Sequence, residues 1–439
     1  MKNDKKHIRE IFSTYWPLAI SWLLMAADTP AITAFISRMN DPKNALAAHG
    51  TAYPLVLLIE TPVLMLTSIA LTLCVDGKNY RRIRSMMAGI CLFVTFLHAL
   101  VCVPPVFSFI FGHLLHTPPE LLNYCHEELL FVIPWSGLIG YRRFNQGVLI
   151  RCGKSRKITV GTILRVSGIF GTLFTCLALK DHITGARAAG LSLTISVAIE
   201  SFYNAWQGHL AAKEQLLPLD SAEPLISWPR LRDFTLPLLL TNILNETWMF
   251  IGSAAISRMI DPVTSLAVWP VMTSLLLLIE CWGYAINETA LARLPDPEMK
   301  QPLRRFTAYV TGFSILLFLI FALPPVNEIW YTSVSSLKPE LAAVSKLAFP
   351  IAFMIPLVFP SVNYYRAFLM NGKWTRPIFE SLLVFLAVIF SVLGIGVFAN
   401  RWMGVYVIMT GRSLANTAEM LWLRFRSKQL EKRLSGAEK

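Results

Sequence analysis

Apolar runs of about twenty residues recur along this chain, and they leave few folds open to it. Residues 90–111 and 377–400 are two of them. A run of about that length spans the ~30 Å hydrocarbon core of a bilayer. In that medium the backbone must satisfy its own hydrogen bonds, so only helices and closed barrels cross it. The runs are too long for strands. Twelve spans are predicted, near 14–36, 50–75, 86–110, 124–149, 158–180, 187–209, 235–256, 269–293, 306–329, 342–369, 377–399 and 402–423. The composition agrees, with 54% hydrophobic and 15% charged residues, against about 25% charged in soluble domains. The expected fold class is an all-α integral membrane protein. The first span has no small-residue cleavage site after a short apolar core, so it reads as a retained helix rather than a signal peptide.

Charge predicts orientation. Lys and Arg crowd into alternate connections: Lys2, Lys5, Lys6 and Arg9; Lys78, Arg81, Arg82 and Arg84; Arg151, Lys154, Arg156 and Lys157; Arg293, Lys300, Arg304 and Arg305. The intervening connections hold few, such as Arg38, Lys43, Lys180 and Arg258. By the positive-inside rule, both termini face the cytoplasm, and the expected location is the cytoplasmic membrane. The net charge of +13 is then mostly topology. Its spread over many loops, rather than one patch, argues against a nucleic-acid partner. The partners expected are the lipid bilayer and a small-molecule substrate.

Enzyme chemistry finds no footing. The seven cysteines form no CxxC pair. His49, His113, His116 and His126, placed towards the outer side, lack a metal-protease frame, and no phosphate loop or dinucleotide fingerprint occurs. The chain reads as no enzyme, with no cofactor and no metal beyond a coupling ion.

One heptapeptide is written twice. "ISRMNDP" at residues 36–42 returns as "ISRMIDP" at 256–262, a shift of 220. At the same shift Leu57-Leu58-Ile59-Glu60 meets Leu277-Leu278-Ile279-Glu280, Pro104-Pro105-Val106 meets Pro324-Pro325-Val326, and Pro119-Glu120-Leu121 meets Pro339-Glu340-Leu341. Apolar coincidences are cheap in membrane helices; matches at Arg, Asp, Glu and paired Pro in constant register are not. The chain is therefore expected to be two copies of a six-helix unit. Six is even, so both copies share one orientation and are related by an axis along the membrane normal, with a site between them. The predicted division is an N-lobe at 1–212, a cytoplasmic linker at 213–230 and a C-lobe with a basic tail at 231–439. One chain supplies both lobes, so a monomer suffices. A six-plus-six parallel duplication is a transporter architecture.

Four stretches carry a family likeness: "PLAISWLLMAADTPAITAFISR" at 17–38, "AHGTAYPL" at 48–55, "NQGVLIR" at 145–151 and "YRAFLMNGKW" at 365–374. On these the chain resembles the multidrug/oligosaccharidyl-lipid/polysaccharide flippase superfamily. That superfamily includes the multidrug and toxic compound extrusion (MATE) transporters; the nearer resemblance is to its progressive ankylosis protein family. The resemblance implies two six-helix lobes that rock around a central cavity. It also implies one of three cargoes: organic cations exchanged for Na⁺ or H⁺, anions such as pyrophosphate, citrate and ATP, or lipid-linked sugars. The third class often has helices beyond twelve.

Ionisable groups inside spans cost a few kcal/mol each on insertion scales and usually face a cavity. Asp28-Thr29-Pro30 and Glu60-Thr61-Pro62 share a design. Each proline removes a backbone N–H and frees the carbonyl four residues earlier, of Ala26 or Leu58. Carboxylate, threonine hydroxyl and loose carbonyl make an oxygen-rich kink suited to a proton or Na⁺. Asp28, Thr29, Glu60 and Thr61 are the predicted ion-coupling residues, with Na⁺ placed at Asp28. Asp28 also lies near the first-helix aspartate of the extrusion transporters. Asn242, Asn245, Glu246, Trp248, Glu280, Trp282 and Glu288 in the second half are predicted to line the substrate cavity, with Arg165 and Arg412 as in-span bases. Packing and local ion pairing are the competing roles for the Trp and Arg residues. The expected activity is proton- or sodium-coupled export of small organic molecules by alternating access, with anion export and lipid-linked precursor flipping as alternatives.

Overall fold

The computed structural model describes residues 2–219 and 225–437. Part of the predicted linker, residues 220–224, lies outside them, as do Met1 and the last two residues of the tail. Twelve long helices account for most of the described residues. They are α1 (Lys2–Ala26 and Asp28–Ile36), α2 (Pro42–Leu64 and Leu66–Leu73), α3 (Gly77–Val101), α4 (Leu122–Val132 and Trp135–Arg151), α5 (Arg156–Ala178) and α6 (Gly185–Gln215). The second six are α7 (Trp228–Ile256), α8 (Pro262–Arg293), α9 (Lys300–Ala322), α10 (Pro339–Ala348 and Met354–Asn371), α11 (Arg376–Ala399) and α12 (Gly404–Ala437). Eight of the twelve are long and apolar enough to cross a membrane by composition alone. The remaining α4, α6, α7 and α12 carry the charges discussed below.

The duplication is written into the backbone. Three left-handed residues recur at the shift of 220: Asp41 and Asp261 (φ 47° and 46°), His116 and Ser336 (53° and 50°), Gly153 and Lys373 (66° and 53°). Both copies place a π-helical turn after the paired prolines, at Ser108–Leu114 and Ile329–Val334. Proline opens α2 and α8, where its missing N–H costs nothing.

The helices do not sort by sequence halves. One compact unit, unit 1, holds the residues up to Ala34 together with those from Arg258 onward; the other, unit 2, is Phe35–Ser257. The compact units therefore divide otherwise than at the predicted linker 213–230: α1 joins the C-terminal helices and α7 joins the N-terminal ones. Side chains explain the exchange. Tyr15 donates to the Trp282 carbonyl at 3.0 Å, Trp22 stacks on Tyr284 at 4.7 Å, and Arg293 of α8 donates to Thr14. These fasten α1 to α8, while α7 packs on α2. The predicted linker is shorter than expected, since 213–215 end α6 and 228–230 begin α7. Where the described chain enters α7 it is held at the start of α3: Ile226 donates to Asn79 Oδ1 at 2.9 Å, and Arg82 lies 4.6 Å over the Trp228 ring.

Each unit turns apolar side chains outward. Leu92, Phe93, Phe96, Phe174 and Phe202 in unit 2, and Leu347, Ile395 and Phe398 in unit 1, are largely exposed. A water-facing surface would not tolerate that belt; hydrocarbon does. Inside, small residues let helices approach. A Cβ added at Gly147 of α4 would meet the Thr67 carbonyl at 2.5 Å and Ala70 Cβ at 2.7 Å. Gly147→Ala should therefore push α2 from α4 and destabilise unit 2 by about 1–3 kcal/mol; detergent-solubilised melting curves would register it.

Candidate functional site

Two clusters of in-span polar residues emerge, one in each unit. In unit 2, Glu200 of α6 collects bases from two neighbouring helices. Arg142 Nη1 donates to its Oε2 at 2.7 Å, Arg165 Nε lies 3.1 Å from the same oxygen, and Gln146 donates to Oε1 at 3.2 Å. Arg165, an expected cavity base, is thus committed to an ion pair.

Glu60 stands apart. It is 6% exposed, and its Oε2 is buried with no hydrogen-bond partner. The charges it feels are Arg143, Arg142 and Glu246. Glu246 rides on α7, where Asn245 donates to its Oε1 at 3.0 Å. Asn242 and Trp248 share that helix and are half-buried. Four of the residues expected to line the substrate cavity (Asn242, Asn245, Glu246 and Trp248) thus belong to the unit of Glu60.

The oxygen-rich kink is present at Glu60 in altered form. The Thr61 hydroxyl donates to the Leu58 carbonyl at 2.8 Å, so the carbonyl that Pro62 frees is capped rather than loose. The helix bends later, at Met65. The second copy repeats the cap with sulfur: Cys281 Sγ donates to the Leu278 carbonyl at 3.1 Å. At Asp28 the break falls where the proline predicts, between Ala26 and Asp28. Thr29 gives its carbonyl to the Thr33 hydroxyl at 3.2 Å. Asp28 and Thr29 lie in unit 1 and Glu60 and Thr61 in unit 2, so the residues predicted to couple the ion do not share one unit. Among the described residues no three His, Cys, Asp or Glu side chains converge as metal ligands.

Unit 1 handles its repeated acid differently. Glu280, at the place of Glu60, takes two hydrogen bonds from Arg412 Nη2, both 2.8 Å. Aligning Gly185 with Gly404 and Glu200 with Glu419 sets Leu193 at the place of Arg412. The α6 position that would match Arg412 therefore supplies no arginine to Glu60, whose Oε2 has no hydrogen bond. Glu419, the counterpart of Glu200, is held by Arg366 and by Ser381 at 3.3 Å. Trp282 packs among Trp16 and Phe313, with ring centroids at 6.3 and 5.0 Å. Glu288 accepts from Trp22 Nε1 at 3.2 Å. It faces a cleft of about 280 Å³ walled by Trp22, Tyr284, Asn287, Asn363 and Arg366. Sequence reasoning did not assign Trp22, Tyr284 or Asn363 to a site; Trp22 joins the other two only because α1 packs on α8.

The sequence matches no protein-family model and no curated protein. Solved structures do match in fold. A multidrug resistance MATE family transporter of the MOP superfamily in its inward-facing conformation superposes with TM-score 0.68 at 15% identity, over 95% of this chain and 98% of that one. The outward-facing conformation of such a transporter gives 0.63 at 15% identity, over 97% and 96%. A MATE structure in the bent conformation gives 0.63 at 14% identity, over 99% of both chains. The fold is thus the MATE fold, in agreement with the twelve-helix reading. The narrower likeness to the progressive ankylosis family finds no support in these neighbours.

Proposed function

We propose that this chain is a secondary active transporter that exports small organic molecules by alternating access, with Glu60 loading the coupling ion. One observation carries this reading: of two carboxylates repeated by duplication, Glu280 is closed by Arg412 and Glu60 is not. An acid sealed in a bidentate pair cannot exchange its ion freely. An acid buried with one oxygen unbonded pays desolvation that a bound cation relieves, and in a membrane span such a group is a functional candidate by default. Capping of the Leu58 carbonyl removes one oxygen from a sodium site at Glu60 and favours the proton there; Asp28 keeps the sodium alternative. Both termini are placed in the cytoplasm of a plasma-membrane protein acting as a monomer.

The substrate reading rests on the cleft of Glu288. The stacked Trp22–Tyr284 pair and the Glu288 carboxylate suit a flat organic cation, while the cleft's one base, Arg366, is paired with Glu419. Trp22→Ala should lower uptake of a planar cationic dye by about tenfold, since losing one such contact is worth up to ~2 kcal/mol. Citrate uptake, if any, should not change. A second reading has its own support: Arg143 Nε is buried without a hydrogen bond, a forked donor available to a carboxylate or phosphate. Everted vesicles under an imposed proton or Na⁺ gradient, given a cationic dye, citrate and pyrophosphate, separate the two. Dye uptake supports cation export; citrate or pyrophosphate uptake lost in Arg143→Gln replaces it with anion export.

A further inference from the structure

His49 and Glu128 meet in the interior of unit 2. His49 Nδ1 lies 2.7 Å from Glu128 Oε1, and the two residues are 1% and 0% exposed. Glu128 Oε2 is buried with no hydrogen-bond partner. Tyr53, one helical turn further along α2, stacks on the His49 ring at 5.0 Å. Tyr53 in turn feels Glu60, Glu246 and Glu128. His49, Tyr53 and Glu60 are spaced four and seven residues apart, so they share one face of α2, along roughly 16 Å of helix.

The duplication tests whether this pair is only a fastener. In unit 1 the places of His49 and Glu128 are taken by Trp269 and Ala348, 2% and 0% exposed. A large ring and a small residue fill the two equivalent places with no charge at all. The fold therefore does not require an ionisable pair there. On energetic grounds an apolar pair is commonly as stable as a buried ionic one or more so. What the polar pair adds is the capacity to hold a proton.

We propose that His49 and Glu128 form a proton-binding site in unit 2, which Tyr53 links to Glu60; the proposal deepens the reading of Glu60 as the coupling acid and rests on it. A separation of 2.7 Å requires one hydrogen between Nδ1 and Oε1. With Nδ1–H donating to an ionised carboxylate, the pair bears one negative charge. Uptake places one proton from water on Glu128 Oε2, giving a neutral carboxylic acid beside an unchanged imidazole; release reverses it. No heavy-atom bond changes and no redox partner is needed. The surrounding charges are accounted for. Glu127 of α4 is engaged by Arg187 of α6 at 2.9 Å and by Thr184 at 2.5 Å. Arg142 and Arg143 of α4 face Glu200 and Glu60. Glu246 of α7 faces Tyr53 and Glu60.

The experiment is an infrared pH titration of the purified full chain, following the carboxylic-acid carbonyl band. The expected result is a titrating component lost in Glu128→Gln, shifted in His49→Gln and distinct from the one lost in Glu60→Gln. A band identical in wild type and Glu128→Gln overturns the proposal. His49→Trp/Glu128→Ala, which copies the other unit, guards against a folding defect. It should melt like wild type, lack the component, and lose proton-driven uptake about tenfold or more. A folded double variant with full proton-driven uptake also overturns the proposal. If wild type shows no gradient-driven uptake of any substrate but the Glu128 component titrates, the transport reading fails and the proton site stands.

Discussion

Glu60→Gln should abolish gradient-driven uptake, cutting the initial rate in proteoliposomes by about a hundredfold, the scale of a lost proton-transfer group, while leaving the protein folded. The amide keeps the shape of the carboxylate and its hydrogen-bonding reach. It cannot take up or release a proton, and it offers no charge to Na⁺. The folding cost is small because no arginine is bonded to Glu60: Leu193 stands where unit 1 has Arg412. The decisive comparison is the uptake rate with an imposed proton gradient, then with a Na⁺ gradient, at matched protein content. Asp28→Asn run beside it assigns the ion to one unit or both. Full uptake in both single variants would remove the carboxylates from the mechanism.

Glu280→Gln should do the reverse, harming the fold more than the transport step. Glu280 is 2% exposed and Arg412 is largely buried against it. Neutralising one partner takes the carboxylate from the buried guanidinium, at a cost of about 3–5 kcal/mol. The expected readouts are a lower melting temperature in detergent and a smaller folded fraction in the membrane. The double variant Glu280→Leu/Arg412→Leu removes both charges and should recover most of that loss, since well-packed apolar pairs replace buried ion pairs with little penalty. Single-variant losses that simply add in the double would contradict a coupled pair. The contrast between Glu60 and Glu280 is the sharpest test of the asymmetry, because the two acids occupy one position in a repeated backbone.

The repeat at 220 was legible because it uses residues with few substitutes: a proline that opens a helix, an aspartate in left-handed backbone before it. Asp41-Pro42 and Asp261-Pro262 adopt the same turn for that reason. The register slips by one residue only past Asn400, whose left-handed φ of 43° ends α11. That slip hid the match of Glu200 with Glu419 and of Leu193 with Arg412. Partners across helices were not legible at all. Nothing near Arg412 in sequence names Glu280, and nothing near Trp22 names Glu288. His49 was visible as an isolated histidine without a frame. The repeat did hold a usable signal, since in one copy a histidine and a glutamate stand where the other has a tryptophan and an alanine. The exchange of α1 and α7 was invisible, because hydropathy reports that a helix spans and not which neighbours it chooses.

That exchange has a consequence for synthesis. When α1 leaves the ribosome its partner α8 does not yet exist; residues 262–293 must still be made. At about 5–20 residues per second the wait is on the order of tens of seconds. For that time the indole of Trp22 and the hydroxyl of Tyr15 sit in lipid without their partners Glu288 and Trp282. Unit 2, by contrast, closes as soon as α7 is complete. The first helix made is thus among the last to be seated, and a chain stopped between the two copies would hold an orphaned α1 and a unit 2 missing α7.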